Sequence, residues 1–419
     1  MTNSENDGET RERQGRPATT RRRFLQTTGA AAVGGVGLAA SAGTAAAATL
    51  TVPADYSTVQ AAVDAAGPGD EVVVTEGTYD GTLTVDVADL TVRTSSPRAA
   101  TVSGSDDETG AAVSVEADGV TFTGFAVENP GNLLGVKVQG GFEDVVVEDT
   151  HVSNVGPFTR LGTTGIIAAG GNDGLRIRDN VVENVASEFP DDDSGYPTTN
   201  GIFLDDEGGG YGDASVAANV VRGIAAETGA LGVLLQGDLD GVTVSENRVS
   251  NVEASNDRSR AEQDGTKFVT YAQGVNVTAD STDDVTLREN VLGDIDADYF
   301  DGESVKVDGG AGGLTVEYND LVAPVGIGNA TATTVTANCN YWGHPKGPRE
   351  VDGNLAAADG PNRQGRSAYF GPVAAESWLV RSVADGQNLQ NACRGGSGNP
   401  GRGGPGEGGR GGGNPGRGN

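Results

Sequence analysis

Gly274-Val275-Asn276-Val277 and, after an Asp-rich turn, Val285-Thr286-Leu287-Arg288-Glu289-Asn290 form a phrase pair that the chain repeats. The first half returns as Gly135-Val136-Lys137-Val138, Gly165-Ile166-Ile167-Ala168, Gly201-Ile202-Phe203-Leu204 and Gly232-Val233-Leu234-Leu235. Ser304-Val305-Lys306-Val307 has Ser in the Gly place. The second half returns as Leu175–Asn180, Val242–Asn247 and Leu314–Asn319, each closing on Asn. A shorter apolar phrase follows, as in Val181-Val182-Glu183-Asn184-Val185. Every phrase alternates with period two, so each reads as a strand with one inward face. Strands this short bury too little alone, and stacked coils solve this by pairing each strand in parallel with its counterparts above and below. A β-sandwich would instead show hairpin turns and no three-phrase cycle. The expectation is an all-β chain, a single-stranded right-handed parallel β-helix, or solenoid. The recurrent Asn should bond to backbone and to Asn in neighbouring coils at one corner. Asn129 to Asp149 and Asn319 to Asn340 read as the shortest cycles. At about 4.8 Å per coil the body would extend on the order of 50 Å.

An open coil exposes strand edges and core, so both ends need covers. Near the start, Ser57 and Gln60 read as a capping box, and Val59, Ala62, Val63 and Ala66 share one helical face, which predicts an N-terminal capping helix. The run Val52-Pro53-Ala54-Asp55-Tyr56 through Ala66, followed by Gly77-Thr78-Tyr79, resembles the entry segment of the pectin lyase-like superfamily. Asn338-Cys339-Asn340-Tyr341-Trp342-Gly343-His344-Pro345, with Trp378-Leu379 later, resembles the closing segment of secreted parallel β-helix repeat proteins. The resemblance covers about residues 50–385 and speaks to fold more than to chemistry.

The ends divide the chain into 1–48, 49–393 and 394–419. Arg21-Arg22-Arg23-Phe24-Leu25 before a Gly/Ala-rich apolar run ending at Ala48 resembles a twin-arginine export signal. That run is too weakly hydrophobic for a membrane anchor, so the expected mature protein is secreted and has no membrane span. From Arg394 onward Gly dominates, which reads as a solvated tail. The chain carries 59 acidic and 28 basic residues, and the export segment holds four of the acids and six arginines. The mature charge is therefore about −33. That balance excludes nucleic acid and anionic membranes as natural partners and resembles haloarchaeal proteins, whose carboxylates keep them dispersed in molar salt. Cys339 and Cys393, the only cysteines, suit one disulfide in an exported protein. A monomer is expected.

Insertions at 156–164, 186–200, 223–231, 254–273 and 294–303 all precede the Gly-apolar-x-apolar strand, so they should border one face. Outward positions there give one row of Lys137, Ile167, Phe203, Leu234, Asn276 and Lys306, and a second of Gln139, Ala169, Asp205, Gln236, Thr278 and Asp308. Phe158, Phe189, Tyr196, Phe203, Tyr211, Phe268, Tyr271, Tyr299 and Phe300 cluster in the same region. Aromatic platforms beside polar rows suit an extended glycan, with Phe203, Tyr196, Phe268, Tyr271, Lys137, Gln236 and Asn276 as binding candidates. The rings could equally pack the bases of the loops.

The resemblance implies polysaccharide chemistry, but its hydrolase and esterase motifs do not appear: His151 and His344 stand in the wrong phrases. Lyase chemistry needs a base and a cation beside a uronate carboxylate. Lys306, Asp308 and Asp205 are the catalytic candidates, with Asp205, Asp206 and Glu207 as an oxygen-rich set for Ca²⁺. Asn276-Val277-Thr278 and Asn329-Ala330-Thr331 are glycosylation sequons. The leading expectation is a secreted β-helix that binds, and by lyase or hydrolase chemistry cleaves, an acidic polysaccharide. The alternative is a noncatalytic extracellular or cell-surface scaffold for adhesion.

Overall fold

A computed structural model describes residues 46–104, 110–159, 162–188, 197–205, 207, 209–256, 269–350, 367–385 and 393–395. Residues 1–45 and 396–419, which hold nearly all of the expected export segment and Gly-rich tail, lie outside these. The described residues between Thr49 and Ala374 form a right-handed parallel β-helix. Its strands distribute into two sheets of twelve and one of ten, and every pairing within those three sheets is parallel. Each coil runs from a Gly-phrase strand, such as Thr198–Asp205, to a short Asn-phrase strand, Ser215–Ala217. It then turns at Asn219 into Val220–Ala226. We call the first of these sheets the groove sheet.

Alternation decides what is inside. In the groove sheet Val113, Val136, Ile166, Ile202, Val233, Val275, Val305 and Ile327 lie in register one above another. All eight are fully buried, and β-branched side chains fit such a pleated, stacked interior. The Gly that opens each phrase has a steric reason. A Cβ at Gly201 would stand 2.3 Å from Val221 Cγ1 and 2.6 Å from the Gly232 carbonyl oxygen. At the exception, Ser304, the hydroxyl donates to the Leu292 carbonyl at 3.0 Å and accepts from the Ala323 N–H at 3.1 Å.

The corner asparagines form the expected ladder. Asn180, Asn219, Asn247, Asn290 and Asn319 each donate both backbone N–H and Nδ2 to the next Asn Oδ1, ending on Asn340, at 2.9–3.0 Å. The residue before each ladder Asn (Asp179, Ala218, Glu246, Glu289, Tyr318 and Cys339) takes a left-handed backbone, which makes the sharp bend. Asn319 to Asn340 is a true 21-residue coil. Asn129 to Asp149 is not one. Asn129 lies in the strand Ala126–Pro130 of the ten-stranded sheet, whereas Asp149 follows the Asn-phrase strand Val146–Glu148, so the two residues stand at different corners.

The helix Val59–Ala65 buries Val59, Ala62 and Val63 against the first coil. Its cap is not the Ser57–Gln60 box. Thr58 is the N-cap, its hydroxyl accepting from the Ala61 N–H at 3.1 Å, while the Gln60 amide exchanges hydrogen bonds with the backbone of Thr84. Cys339 and Cys393 are joined in a disulfide. The insertions contain more strand than the sequence suggested, because alternation continues through them into His151–Thr159, Thr163–Ala169 and Gly229–Asp240. No helix among the described residues is long and apolar enough to cross a membrane.

Candidate functional site

The first outward row is in the expected register: Lys137, Ile167, Phe203, Leu234, Asn276 and Lys306 pair coil by coil. It continues through Gly328 to Phe370. The second row is broken at its far end. A bulge pairs Thr278 with Gly309, so Asp308 is displaced from the position that alternation assigned to it.

A cavity of about 550 Å³ opens over the last part of this face. Of the sequence candidates, Lys306, Asp308, Gln236, Asn276 and Tyr271 line it. Phe203 lies two coils from Asn276 along the same row, and Lys137 begins that row, five coils from Lys306. Asp205 stands beside Ala169 in the second row, and it is not among the lining residues. The catalytic trio read from sequence is thus split, with Lys306 and Asp308 together and Asp205 roughly 14 Å along the axis by coil spacing. Tyr211 is not a platform: it is 1% exposed, and its hydroxyl donates to the carbonyls of Ala168 and Asp205 at 2.6 and 2.8 Å. Tyr196, Phe268 and Asp206 fall outside the described residues, as do Phe189 and parts of three insertions.

The residue that organises the cavity is one the sequence reading passed over. Glu303 is 8% exposed. It accepts from Gln273 Nε2 at 3.0 Å, while Lys306 Nζ lies 3.5 Å from its Oε1 and 3.8 Å from Asp308 Oδ1. Gln273 Oε1 in turn accepts from Asn276 Nδ2 at 2.5 Å. A continuous hydrogen-bonded floor therefore runs Asn276–Gln273–Glu303–Lys306. Burial lifts the Glu303 carboxyl from 4.5 to about 7; Lys306 and Gln273 oppose the lift and Asp308 adds to it. Burial, and then the negative charge of Asp308, also raise the Tyr271 phenol, so it stays protonated at neutral pH. Asp301 is raised as well, first by burial and then by Asp296, with Arg349 opposing.

Strict alternation would put Glu303 inside, since Lys306 and Asp308 point out. The bend at Ser304 changes that parity. Pairing skips the Gly or Ser position, passing from Gln273↔Glu303 directly to Val275↔Val305, so residues i and i+3 meet on one side. An acidic residue just before the Gly/Ser position was the available signal.

Apolar walls complete the cavity. Tyr271 lies against Gly229, where a Cβ would meet its ring at 2.4 Å. Phe300 is 45% exposed and lines the same cavity, and the Phe370 ring centroid is 5.2 Å from Lys306 Nζ.

Both sequon asparagines are closed to modification in the folded chain. Asn276 is 6% and Asn329 2% exposed. Each uses its amide nitrogen internally, Asn276 on Gln273 and Asn329 on the carbonyls of Thr333 and Pro372. Among the described residues no three His, Cys, Asp or Glu side chains converge to hold a metal ion. Asp206, the third residue of the expected Ca²⁺ set, lies outside the described residues, and no chemistry below passes through Ca²⁺.

No protein-family model matches the chain, and no curated protein matches it. Solved structures do. An alginate lyase from Paenibacillus sp. str. FPU-7 aligns over 78% of this chain and 99% of its own, with TM-score 0.46 and 16% identity. A pectin methylesterase from Aspergillus niger aligns over 69% and 87%, with TM-score 0.35 and 15% identity. Pectate lyase Pel9A aligns over 80% and 78%, with TM-score 0.39 and 13% identity.

Proposed function

We propose that the groove binds an acidic polysaccharide and that the cavity cleaves it by β-elimination. The observation carrying this is the Glu303–Lys306 pair on the cavity floor, where a buried carboxyl titrating near 7 stands beside a cation. Elimination from a uronate needs a base for the proton next to the sugar carboxylate, a cation to hold the charge that develops there, and an acid for the departing oxygen. Glu303 suits the base, since half of it is ionised at pH 7. Lys306 suits the charge holder: among the described residues it is the only cation lining the cavity. Tyr271, kept as the phenol, suits the acid. Glu303 takes the proton, the electron pair becomes a carbon–carbon double bond, and the leaving oxygen takes its proton from Tyr271. Phe300 and Tyr271 offer apolar faces for sugar rings. The disulfide supports an oxidising, extracellular setting, in line with the export signal.

The test is a screen of uronate polymers in molar salt, with and without Ca²⁺, read by absorbance of unsaturated products and by reducing ends. Absorbance with new reducing ends supports elimination. Reducing ends without absorbance would move the chemistry to hydrolysis, and binding without either product would leave a scaffold. Dependence on added Ca²⁺ would direct attention to Asp205, Asp206 and Glu207.

Salt offers a further check. A chain of charge −31 repels a polyanion, and the repulsion is screened over about 3 Å at 1 M salt against about 10 Å at 0.1 M. Affinity should therefore rise about tenfold between those salts, measured by calorimetry. A fall would mean that Lys306 attraction outweighs the global field.

A further inference from the structure

Past Lys306 the outward row that floors the groove loses its side chain and then gains a ring. The next position is Gly328, and the one after it is Phe370. The Phe370 ring lies over Gly328, its Cζ 2.5 Å from where a Cβ would stand, so the ring fills the space a side chain would occupy. That same missing Cβ would come within 2.3 Å of Glu303 Oε1. Gly328 thus admits two groups at once, the carboxylate below and the aromatic wall above. In the other direction the row runs on through Leu234 and Phe203. A wall therefore stands one coil beyond the Glu303–Lys306 pair.

The cavity floor, one coil before Lys306, also carries acceptors without a partner among the described residues. Asn276 Oδ1 and Thr278 Oγ1 are both buried without a hydrogen-bond partner, and both residues line the cavity. Asn276 has committed its amide nitrogen to Gln273, which leaves its oxygen to accept from a donor in the cavity. A sugar hydroxyl is such a donor, and a terminal residue has one hydroxyl more than an internal residue of the same polymer.

We infer that this cavity is the terminal subsite of the groove, holding the end sugar of an acidic polysaccharide chain, so that the protein works from chain ends. The inference rests on the reading given under the proposed function and adds the mode of action to it. Phe370 stops the chain, Asn276 and Thr278 receive hydroxyls of the end residue, and the bond broken lies next to it.

The experiment follows product length from the first percent of conversion. Wild type should release only the smallest unsaturated product while the viscosity of the polymer falls slowly. Phe370→Ala should open the wall and give a ladder of longer products, read as product length at equal conversion. A second measurement does not need turnover: with Glu303→Gln, affinity per chain should change by less than about threefold between a short oligomer and a long polymer, because each chain has one such end. A mixed ladder from wild type, or affinity per chain that grows with length, overturns terminal binding while leaving cleavage intact. No binding of any uronate polymer by either form removes this inference and the proposed function together.

Discussion

Glu303→Gln is expected to lower kcat by about a thousandfold and, above pH 7, to make the protein more stable. Both effects come from one carboxyl. An unfolded Glu titrates near its ordinary value of 4.5, whereas the folded one titrates near 7. Between those values the folded chain holds a proton that the unfolded chain has released. Stability from this group is therefore fully present below pH 4.5, declines as pH rises, and is replaced above 7 by a penalty of roughly 3 kcal/mol. Gln carries no charge at any pH, so the variant should gain about that much at pH 8 and nothing at pH 4. For a domain of this size the gain is roughly 5 °C in Tm, read by thermal scans at the two pH values. If Glu303 served only as a structural partner of Lys306, the variant would melt lower at pH 8.

The same group sets the pH dependence of the reaction. The rising limb of kcat/KM should fall near 7, because that ratio reports the free enzyme. The limb of kcat should lie higher, because a bound uronate places another negative charge near Glu303 and opposes its ionisation. Coincident limbs would separate Glu303 from the substrate.

The fold was legible because it is periodic. One row of residues separated by unequal numbers of positions was put into correct register from phrase similarity alone, and Asn at the corners announced the ladder that the coils build. Lys306, Asn276 and Gln236 followed from that register, since an outward residue in a regular strand stays outward. Glu303 did not follow, because the Ser304 bend reverses the parity on which such a reading depends. Asp205 entered the catalytic set for being an acid in the right row, and sequence says nothing about which coils share a cavity. The closed end was hidden for another reason. Gly328 and Phe370 lie 42 positions apart in sequence, and only stacking puts the ring of one over the backbone of the other.

Removing one rung from the corner ladder should have the largest effect on folding. Asn247 is 1% exposed. Its Oδ1 accepts from both the backbone N–H and Nδ2 of Asn219 at 3.0 Å, and its own Nδ2 donates to Asn290 Oδ1 and to the Val216 carbonyl at 3.0 and 2.8 Å. Asn247→Ala leaves two buried donors on Asn219 without an acceptor and takes the Nδ2 donor from Val216, at a cost of roughly 3–6 kcal/mol. Stability in a stacked solenoid is carried largely between neighbouring coils, so the loss should appear as a lower urea midpoint and as early exchange of the amides of residues 215–226 and 243–254. Asn247→Asp separates the acceptor role from the donor role. The carboxylate still receives from Asn219, but it faces Asn290 Oδ1 and the Val216 oxygen with no hydrogen to offer, and it is buried. Its folded pKa should therefore be raised, so the deficit is smallest in acid and grows as pH rises through that value. Equal destabilisation of the Asp variant at pH 4 and pH 8 would mean that packing, not the hydrogen-bonded ladder, holds this corner.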